Sequence, residues 1–232
     1  MRALTFQDVE RVAVEEVPDP RLLEPGDVVL EVEMAGICGS DLHPYHGRAV
    51  GLDRGTVMGH EYVGRVRDVG ENVRTLRVGD RVVGPFTTSC GQCFYCRRGL
   101  TCRCERGELF GWVEGGRGLH GSQAELLRVP LADSTLVAVD ESLPVEEVLF
   151  VGDVLATGFF CAELGGVDAT TLVAVIGCGP VGLMAVLAAR ELGAAAVFAL
   201  DRVPERLELA RDFGAEPIDV GADDAARVLR AA

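Results

Sequence analysis

The chain of 232 residues contains no lysine, and all 22 of its basic residues are arginine. Schiff-base catalysis, a P-loop lysine held against phosphates and a Ser-Lys catalytic pair are thereby excluded. Positive charge is in deficit as well: 22 basic residues face 36 acidic ones, for a net charge of −14. A phosphate backbone would meet repulsion rather than a basic groove, which excludes nucleic acid as a partner. The N-terminus, MRALTFQDVERV, lacks both an apolar core and a small-residue cleavage pattern. Neither secretion nor a signal anchor is expected, and the expected location is cytoplasmic. The uncharged run 169–189 is long enough to span a bilayer, but Gly177, Gly179, Pro180 and Gly182 interrupt its middle. That interruption suits a strand, a tight turn and a helix, so no membrane partner is expected.

What is present is a globular composition, 48% hydrophobic and 25% charged, which excludes disorder as the main state. Up to about residue 139 the sequence reads as short strands separated by Gly, Pro and Asp turns. Across 27–35, Val28, Leu30, Val32 and Met34 alternate with Val29, Glu31 and Glu33, as in a strand with one buried and one wet face. Similar stretches at 57–69, 81–86, 123–129 and 136–139 predict further strands. The pattern becomes helical over 143–164, with Ser142 as a candidate cap ahead of Pro144 and Glu146. Beyond Thr170 it predicts strand 172–176, helix 181–192, strand 196–200, helix 204–213 and a short strand at 217–220. This is one βαβαβ unit, the first half of a dinucleotide-binding sheet, with the chain stopping at Ala232 in the next helix. The expected fold class is α/β with a β-rich half, divided into domains 1–150 and 151–232.

Three groups of residues carry chemistry. Five of the eight cysteines fall in the fifteen residues 90–104, in a chain large enough to need no covalent staples, so metal binding is the better reading than disulfides. Cys90, Cys93, Cys96 and Cys104 are spaced C-x2-C-x2-C-x7-C, and four thiolates around one centre form a closed shell that suits structural Zn²⁺. Cys102 competes with Cys104 for the fourth place. Upstream, Cys38 lies in Gly36-Ile-Cys-Gly-Ser-Asp-Leu-His43 and His60-Glu61 in Gly59-His-Glu-Tyr-Val-Gly64. A thiolate and an imidazole on separate loops suit a metal that keeps an open position, although taken alone such a cysteine is more often a buried thiol and such a histidine more often a core residue. Third, Val175-Ile-Gly177-Cys-Gly179-Pro180-Val181-Gly182 follows an apolar strand, and Asp201 ends the next one. Gly177 makes the turn, Gly179 lets backbone approach a pyrophosphate at the helix N-terminus, and Gly182 lets helix pack on strand. Asp201 is placed to accept from a ribose 2′-OH and to repel a 2′-phosphate, which favours NAD over NADP, a preference that Arg202 beside it weakens.

These blocks, in this order, with the turn Val78-Gly-Asp-Arg-Val82 and the helix start Gly152-Asp-Val-Leu-Ala-Thr-Gly158, resemble the zinc-dependent medium-chain alcohol dehydrogenases. The resemblance implies a GroES-like β-barrel catalytic domain with a structural zinc lobe, then a partial Rossmann (doubly wound) domain, with substrate and nicotinamide meeting in the cleft between them. It implies two zinc ions per chain. Cys38, His60 and Asp153 match catalytic zinc ligands, Glu61 matches the adjacent carboxylate, and Asp41 matches the partner that orients the ligand histidine. By spacing alone Asp153 is a helix cap. Ser40 and His43 match a proton relay, Trp112 matches a pocket-lining position or a core aromatic, and His46 and His120 match no role. The implied reaction is hydride transfer between an alcohol and an aldehyde or ketone, with NAD as the partner cofactor, in a homo-oligomer.

A complete fold of this type needs on the order of 70 to 100 further residues. The expectation is accordingly a truncated product that binds zinc, binds NAD weakly and turns over poorly or not at all. Two alternatives are a non-catalytic zinc-binding remnant and a zinc-free reductase relative acting on enones or quinones. Cys38, His60 and Asp153 together argue against the second.

Overall fold

β-Branched runs cut by Gly-Asp turns favour short strands over long helices, and the computed structural model of the chain, described for residues 1–231, follows that pattern in its first unit, Met1–Gly152. Strands β1 (Arg2–Asp8) and β2 (Arg11–Glu16) form an antiparallel hairpin. They are followed by β3 (Val28–Ala35), the single-turn helix α1 (Leu42–Tyr45), β4 (Tyr62–Val69) and β5 (Arg81–Val83). A second hairpin, β6 (Trp112–Glu114) with β7 (Arg117–Leu119), precedes β8 (Leu126–Val129), a one-turn α2 (Ala132–Thr135) and β9 (Val137–Ala138). The main antiparallel sheet has the order β8-β3-β4-β5-β9.

Val28, Leu30, Tyr62, Val66, Val82, Phe110, Leu127 and Val129 form the core under this sheet. Tyr62 and Phe110 pack edge-to-face, 5.4 Å between centroids. Strand β3 departs from simple alternation because Val29 is buried along with Val28 and Leu30. The first three residues are buried on both faces of the sheet, and only from Glu31 onward does one face become wet.

The helical pattern over 143–164 is two helices, α3 (Val145–Val151) and α4 (Val154–Leu164). Asp153 leaves helical geometry (φ −137°, ψ −75°) and breaks the run. Ser142 does not cap α3: the helix starts after Pro144, whose carbonyl accepts the N–H of Glu147 and Val148, while the Ser142 N–H turns back to Asp140 Oδ1.

The second unit begins at Asp153. After α4 come β10 (Leu172–Ile176), α5 (Pro180–Glu191), β11 (Ala196–Asp201), α6 (Pro204–Asp212), β12 (Glu216–Asp219) and α7 (Ala225–Ala231). The three strands are parallel in the order β10-β11-β12. Their core is small and aliphatic, with Val186, Ala189, Val197, Ala199, Leu207 and Ala210. A Cβ on Gly158 would strike the backbone at Met184 and Ala185, so this glycine permits the close approach of α4 to α5. The uncharged run 169–189 is thus strand, turn and helix. Among the described residues no helix is long and apolar enough to cross a membrane.

Candidate functional site

The cysteine segment folds on itself through two 3-10 turns, Cys96–Arg98 and Thr101–Arg103, with Gly91 and Gly99 at positive φ (68° and 75°) where a side chain would be strained. The sulfurs of Cys90, Cys93, Cys96 and Cys104 all lie within 4.8 Å of one another. The Cys90–Cys96 and Cys93–Cys104 edges are each 4.0 Å. A tetrahedron with Zn–S bonds of about 2.3 Å has edges of about 3.8 Å, close to the two 4.0 Å edges, so the four sulfurs are gathered as a shell around one zinc ion requires. Cys102 is exposed and stands outside the group: it sits inside the second turn, whereas Cys104 follows that turn in an extended conformation (φ −54°, ψ 132°).

Backbone amides favour thiolate here. The N–H groups of Cys90 and Arg106 point at Cys104 Sγ (3.2 and 3.3 Å), and that of Cys96 at Cys93 Sγ (3.5 Å). Amides of Cys96 and Glu105 pull the Cys93 thiol down to about 6, those of Gln92 and Cys93 lower Cys90, and burial pushes Cys96 up to about 11. Four sulfurs this close are all thiolate only around a cation, and the closed shell leaves no place for substrate.

The second group is built by strand pairing. Strands β3 and β4 run antiparallel, with Ala35 opposite Tyr62 as the last pair, and the Gly36 N–H extends the ladder to the Glu61 carbonyl (3.0 Å). The loop after β3 carries Cys38, Ser40 and Asp41, and it therefore lies beside His60 and Glu61, which immediately precede β4. A Cβ on Gly36 would strike the Glu61 carboxylate, so the glycine permits the close approach of the two segments. Asp153 is bonded to Gly152, the last residue of the first unit, on which a Cβ would strike the Gly84 carbonyl. One ligand atom from each of Cys38, His60, Glu61 and Asp153 lies within 4.8 Å of all the others. A thiolate, an imidazole and carboxylates are donors that Zn²⁺ accepts.

His60, Glu61 and Asp41 are buried. His60 Nδ1 stands 3.3 Å from Asp41 Oδ1, and its Nε2 is 3.2 Å from Ser40 Oγ. The other Asp41 oxygen accepts the Cys38 N–H (3.0 Å). Asp153 occupies the N-cap position of α4 without a capping bond from its side chain; instead Oδ1 accepts the Thr157 hydroxyl at 3.0 Å. His43 is exposed on α1, its N–H bonded to the Ser40 carbonyl (3.1 Å). Two residues here escape sequence reasoning, Thr157 and Gln123. The Gln123 amide donates to both the Gly36 carbonyl (3.0 Å) and Asp41 Oδ2 (3.2 Å), and no spacing rule marks it. His120 is structural: its Nδ1 accepts the Val57 N–H (3.1 Å), and burial lowers its pKa. His46 lies at the surface, 4.0 Å from Glu10. Trp112 is half-buried on β6, outside the buried clusters, with its indole N–H directed at Glu114 (3.3 Å).

In the second unit, Gly177 takes φ 91° between β10 and α5. A Cβ on Gly182 would strike the Gly177 carbonyl oxygen, whereas one on Gly179 would meet nothing within 4 Å. The turn is thus packed on its inner side at Gly182 and open at Gly179, where Pro180 and Val181 begin α5. Asp201 fastens it. Oδ2 accepts the Cys178 N–H (2.7 Å), and Oδ1 accepts the N–H groups of Arg202 (2.7 Å) and Val203 (3.0 Å). These bonds, that of Cys178 foremost, hold the Asp201 carboxyl below the usual carboxylate range, and Arg206 stands 3.8 Å away.

Residues 24–141 match the model of the alcohol dehydrogenase GroES-like domain. The chain belongs to the zinc-dependent medium-chain alcohol dehydrogenase family. Residues 156–232 match the alanine dehydrogenase/PNT C-terminal domain. The chain is 45% identical over 226 residues to the medium chain reductase/dehydrogenase ucsI of Acremonium sp, covering 95% of this chain and 76% of that protein. It is 43% identical over 223 residues to zinc-type alcohol dehydrogenase B of Aspergillus flavus, covering 94% of this chain and 51% of the other. Among solved structures, alcohol dehydrogenase TADH from Thermus sp. ATN1 superposes with a TM-score of 0.94 at 47% identity, covering 100% of this chain and 66% of that one. Most of these relatives are therefore substantially longer than the present chain. Medium-chain alcohol dehydrogenases are oxidoreductases acting on alcohols and aldehydes with zinc and a nicotinamide dinucleotide, and the cysteine cluster of this member is fit to bind metal.

Proposed function

We propose that this chain carries the metal centre of a zinc-dependent alcohol dehydrogenase that transfers hydride between a primary or secondary alcohol and NAD. The observation that carries the reading is the convergence of Cys38, His60, Glu61 and Asp153 ligand atoms within 4.8 Å. In this proposal Cys38, His60 and Asp153 hold one zinc ion, Glu61 is the adjacent carboxylate, and the four thiols hold a second, structural ion. When bound, zinc lowers the pKa of an alcohol as a Lewis acid, and the nicotinamide accepts the hydride. The chain's own residues position and move the proton. Ser40 Oγ, 3.2 Å from His60 Nε2, is within hydrogen-bonding reach of an oxygen held beside that nitrogen, and it would accept the substrate hydroxyl proton while giving up its own to the relay. His43, exposed on α1, passes it to solvent. Asp41 at 3.3 Å keeps the His60 proton on Nδ1, which leaves Nε2 as the ligand atom.

The turn 177–182 and the N-terminus of α5 bind the pyrophosphate through backbone N–H groups, with the open side at Gly179 as the approach. Asp201 keeps lone pairs for a ribose hydroxyl after its three backbone bonds, and its negative charge disfavours a 2′-phosphate; NAD is therefore preferred to NADP, with Arg202 and Arg206 moderating the preference. Self-association into a homo-oligomer rests on the family membership.

Metal analysis joined to cofactor-coupled turnover tests the reading. Two zinc ions per chain are expected. Cys38→Ser should lose one of them, together with any alcohol-dependent reduction of NAD that the unsubstituted chain supports. A single zinc in the unsubstituted chain, or undiminished turnover in Cys38→Ser, contradicts it.

A further inference from the structure

We propose that Gln123 is a positioning residue for the Cys38–His60–Asp153 centre, holding Asp41 so that Asp41 can hold His60. The inference rests on the metal site proposed above. Asp41 is buried and faces a crowded set of partners: Oδ1 is 3.3 Å from His60 Nδ1, and Oδ2 accepts the Cys38 N–H at 3.0 Å and the Gln123 amide at 3.2 Å. A carboxylate rotates about its Cβ–Cγ bond unless both oxygens are engaged. The Cys38 N–H alone comes from the loop that must itself be held still. Gln123 supplies the anchor from outside that loop.

Its own placement is over-determined. The segment from His120 to Gln123 is stitched to the His60 segment by the N–H groups of Gly121, Ser122 and Gln123, which donate to the carbonyls of Val57 (2.8 Å), Gly59 (3.0 Å) and Met58 (2.9 Å). The Ser122 hydroxyl donates to the Glu61 carbonyl (3.2 Å), and His120 Nδ1 accepts the Val57 N–H (3.1 Å). Contact is so close that a Cβ on Gly121 would strike the Met58 and Gly59 carbonyls, and one on Gly59 would strike the Gln123 side chain. With its backbone fixed to the His60 segment, Gln123 reaches across to the Cys38 segment and bonds both the Gly36 carbonyl (3.0 Å) and Asp41 Oδ2. One amide group thus sets the spacing between the two ligand-bearing loops and the orientation of the carboxylate behind the ligand histidine. An amide suits the task because its two N–H groups serve two acceptors, whereas a carboxylate at this position would face two oxygens with no donor.

The test uses cobalt(II) as the probe in the metal-stripped chain, with the absorption that Cys38→Ser removes marking the site and the four-thiol site as an internal control. Gln123→Met, close in length and without donors, should weaken cobalt binding at the Cys38 site about tenfold and change its ligand-field spectrum, the lower edge of what partners behind a ligand contribute. Binding at the four-thiol site should stay within about twofold. In an Asp41→Ala background the same substitution should cost clearly less than in the unsubstituted chain, leaving only the share carried by the Gly36 bond. Gln123→Glu, which keeps the volume, should weaken the site at least as much and serves where Gln123→Met does not fold. Affinity and spectrum unchanged in the variant, an equal cost with and without Asp41, or an equal loss at both metal sites would overturn the inference while leaving the metal centre standing. If Cys38→Ser removes no cobalt signal from the unsubstituted chain, the centre itself falls, and the role of Gln123 falls with it.

Discussion

The two candidate metal-binding groups reach similar closeness by different routes. The four thiols come from fifteen consecutive residues, 90–104, shaped by two 3-10 turns, two glycines and amides of the same segment. The set around Cys38 is drawn from the loop after β3, the residues before β4 and the residue immediately before α4, and the β3–β4 ladder brings its Cys38, His60 and Glu61 members together. On the proposed reading the metal would organise the polypeptide in the first case, and the polypeptide would organise the metal in the second. A loop with few buried apolar side chains gains its order from the ion, while a site on paired strands is in place before the ion arrives.

That contrast is sharpest when each site is broken. Cys104→Ser should have the largest effect, since a four-thiolate site contributes on the order of 10 kcal/mol of apparent binding free energy. Metal content should fall from two to one, and the amides of 90–104 should lose protection from hydrogen exchange. Cys102→Ser should change neither, and a loss of metal there would reassign the fourth ligand. His60→Ala comes next: metal binding at its site should weaken by more than about a hundredfold, yet hydrogen exchange across β3 and β4 should keep its protection. Melting of those strands on metal removal would erase the distinction.

A substitution in the glycine turn of the second unit, outside both ligand sets, marks the baseline. Gly182→Ala drives a methyl group into the Gly177 carbonyl and should cost the second unit about 1–3 kcal/mol in urea melts with both metals retained. The smallest effect is pH-dependent. Asp201 has its pKa lowered on folding, so its contribution is complete above the ordinary aspartate value of about 3.9 and is lost as pH falls through the lower folded value. Asp201→Asn should therefore destabilise the second unit by about 1–2 kcal/mol at neutral pH, and the gap to the unsubstituted chain should close as pH falls through the lowered Asp201 value in parallel urea titrations. A difference that persists in acid would mean that shape rather than charge matters at Asp201.

Legibility in the sequence followed the same division. Cys90, Cys93, Cys96 and Cys104 could be read from spacing because their geometry is local, and only the choice between Cys102 and Cys104 needed the turn. The βαβαβ unit was legible because apolar runs, glycines and an acidic strand end recur at fixed intervals, and its strands lie where the pattern expects them, within a residue or so. Asp153 was readable only by resemblance. Its backbone does stand at a helix start, but its carboxylate turns to Thr157 rather than to the helix amides, a choice that depends on tertiary neighbours. Gln123 was not legible at all, since its meaning lies in contacts with residues 82 and 87 positions away in sequence. Ser142 misled for a simpler reason: Pro144 already supplies the fixed φ that begins α3.

The most direct test is crystallographic, on the zinc-loaded chain with data collected across the zinc absorption edge. Two anomalous peaks per chain are expected, one among the four cysteine sulfurs and one bonded to Cys38 Sγ, His60 Nε2 and an Asp153 carboxylate oxygen. A single peak, confined to the cysteine lobe, would contradict the account.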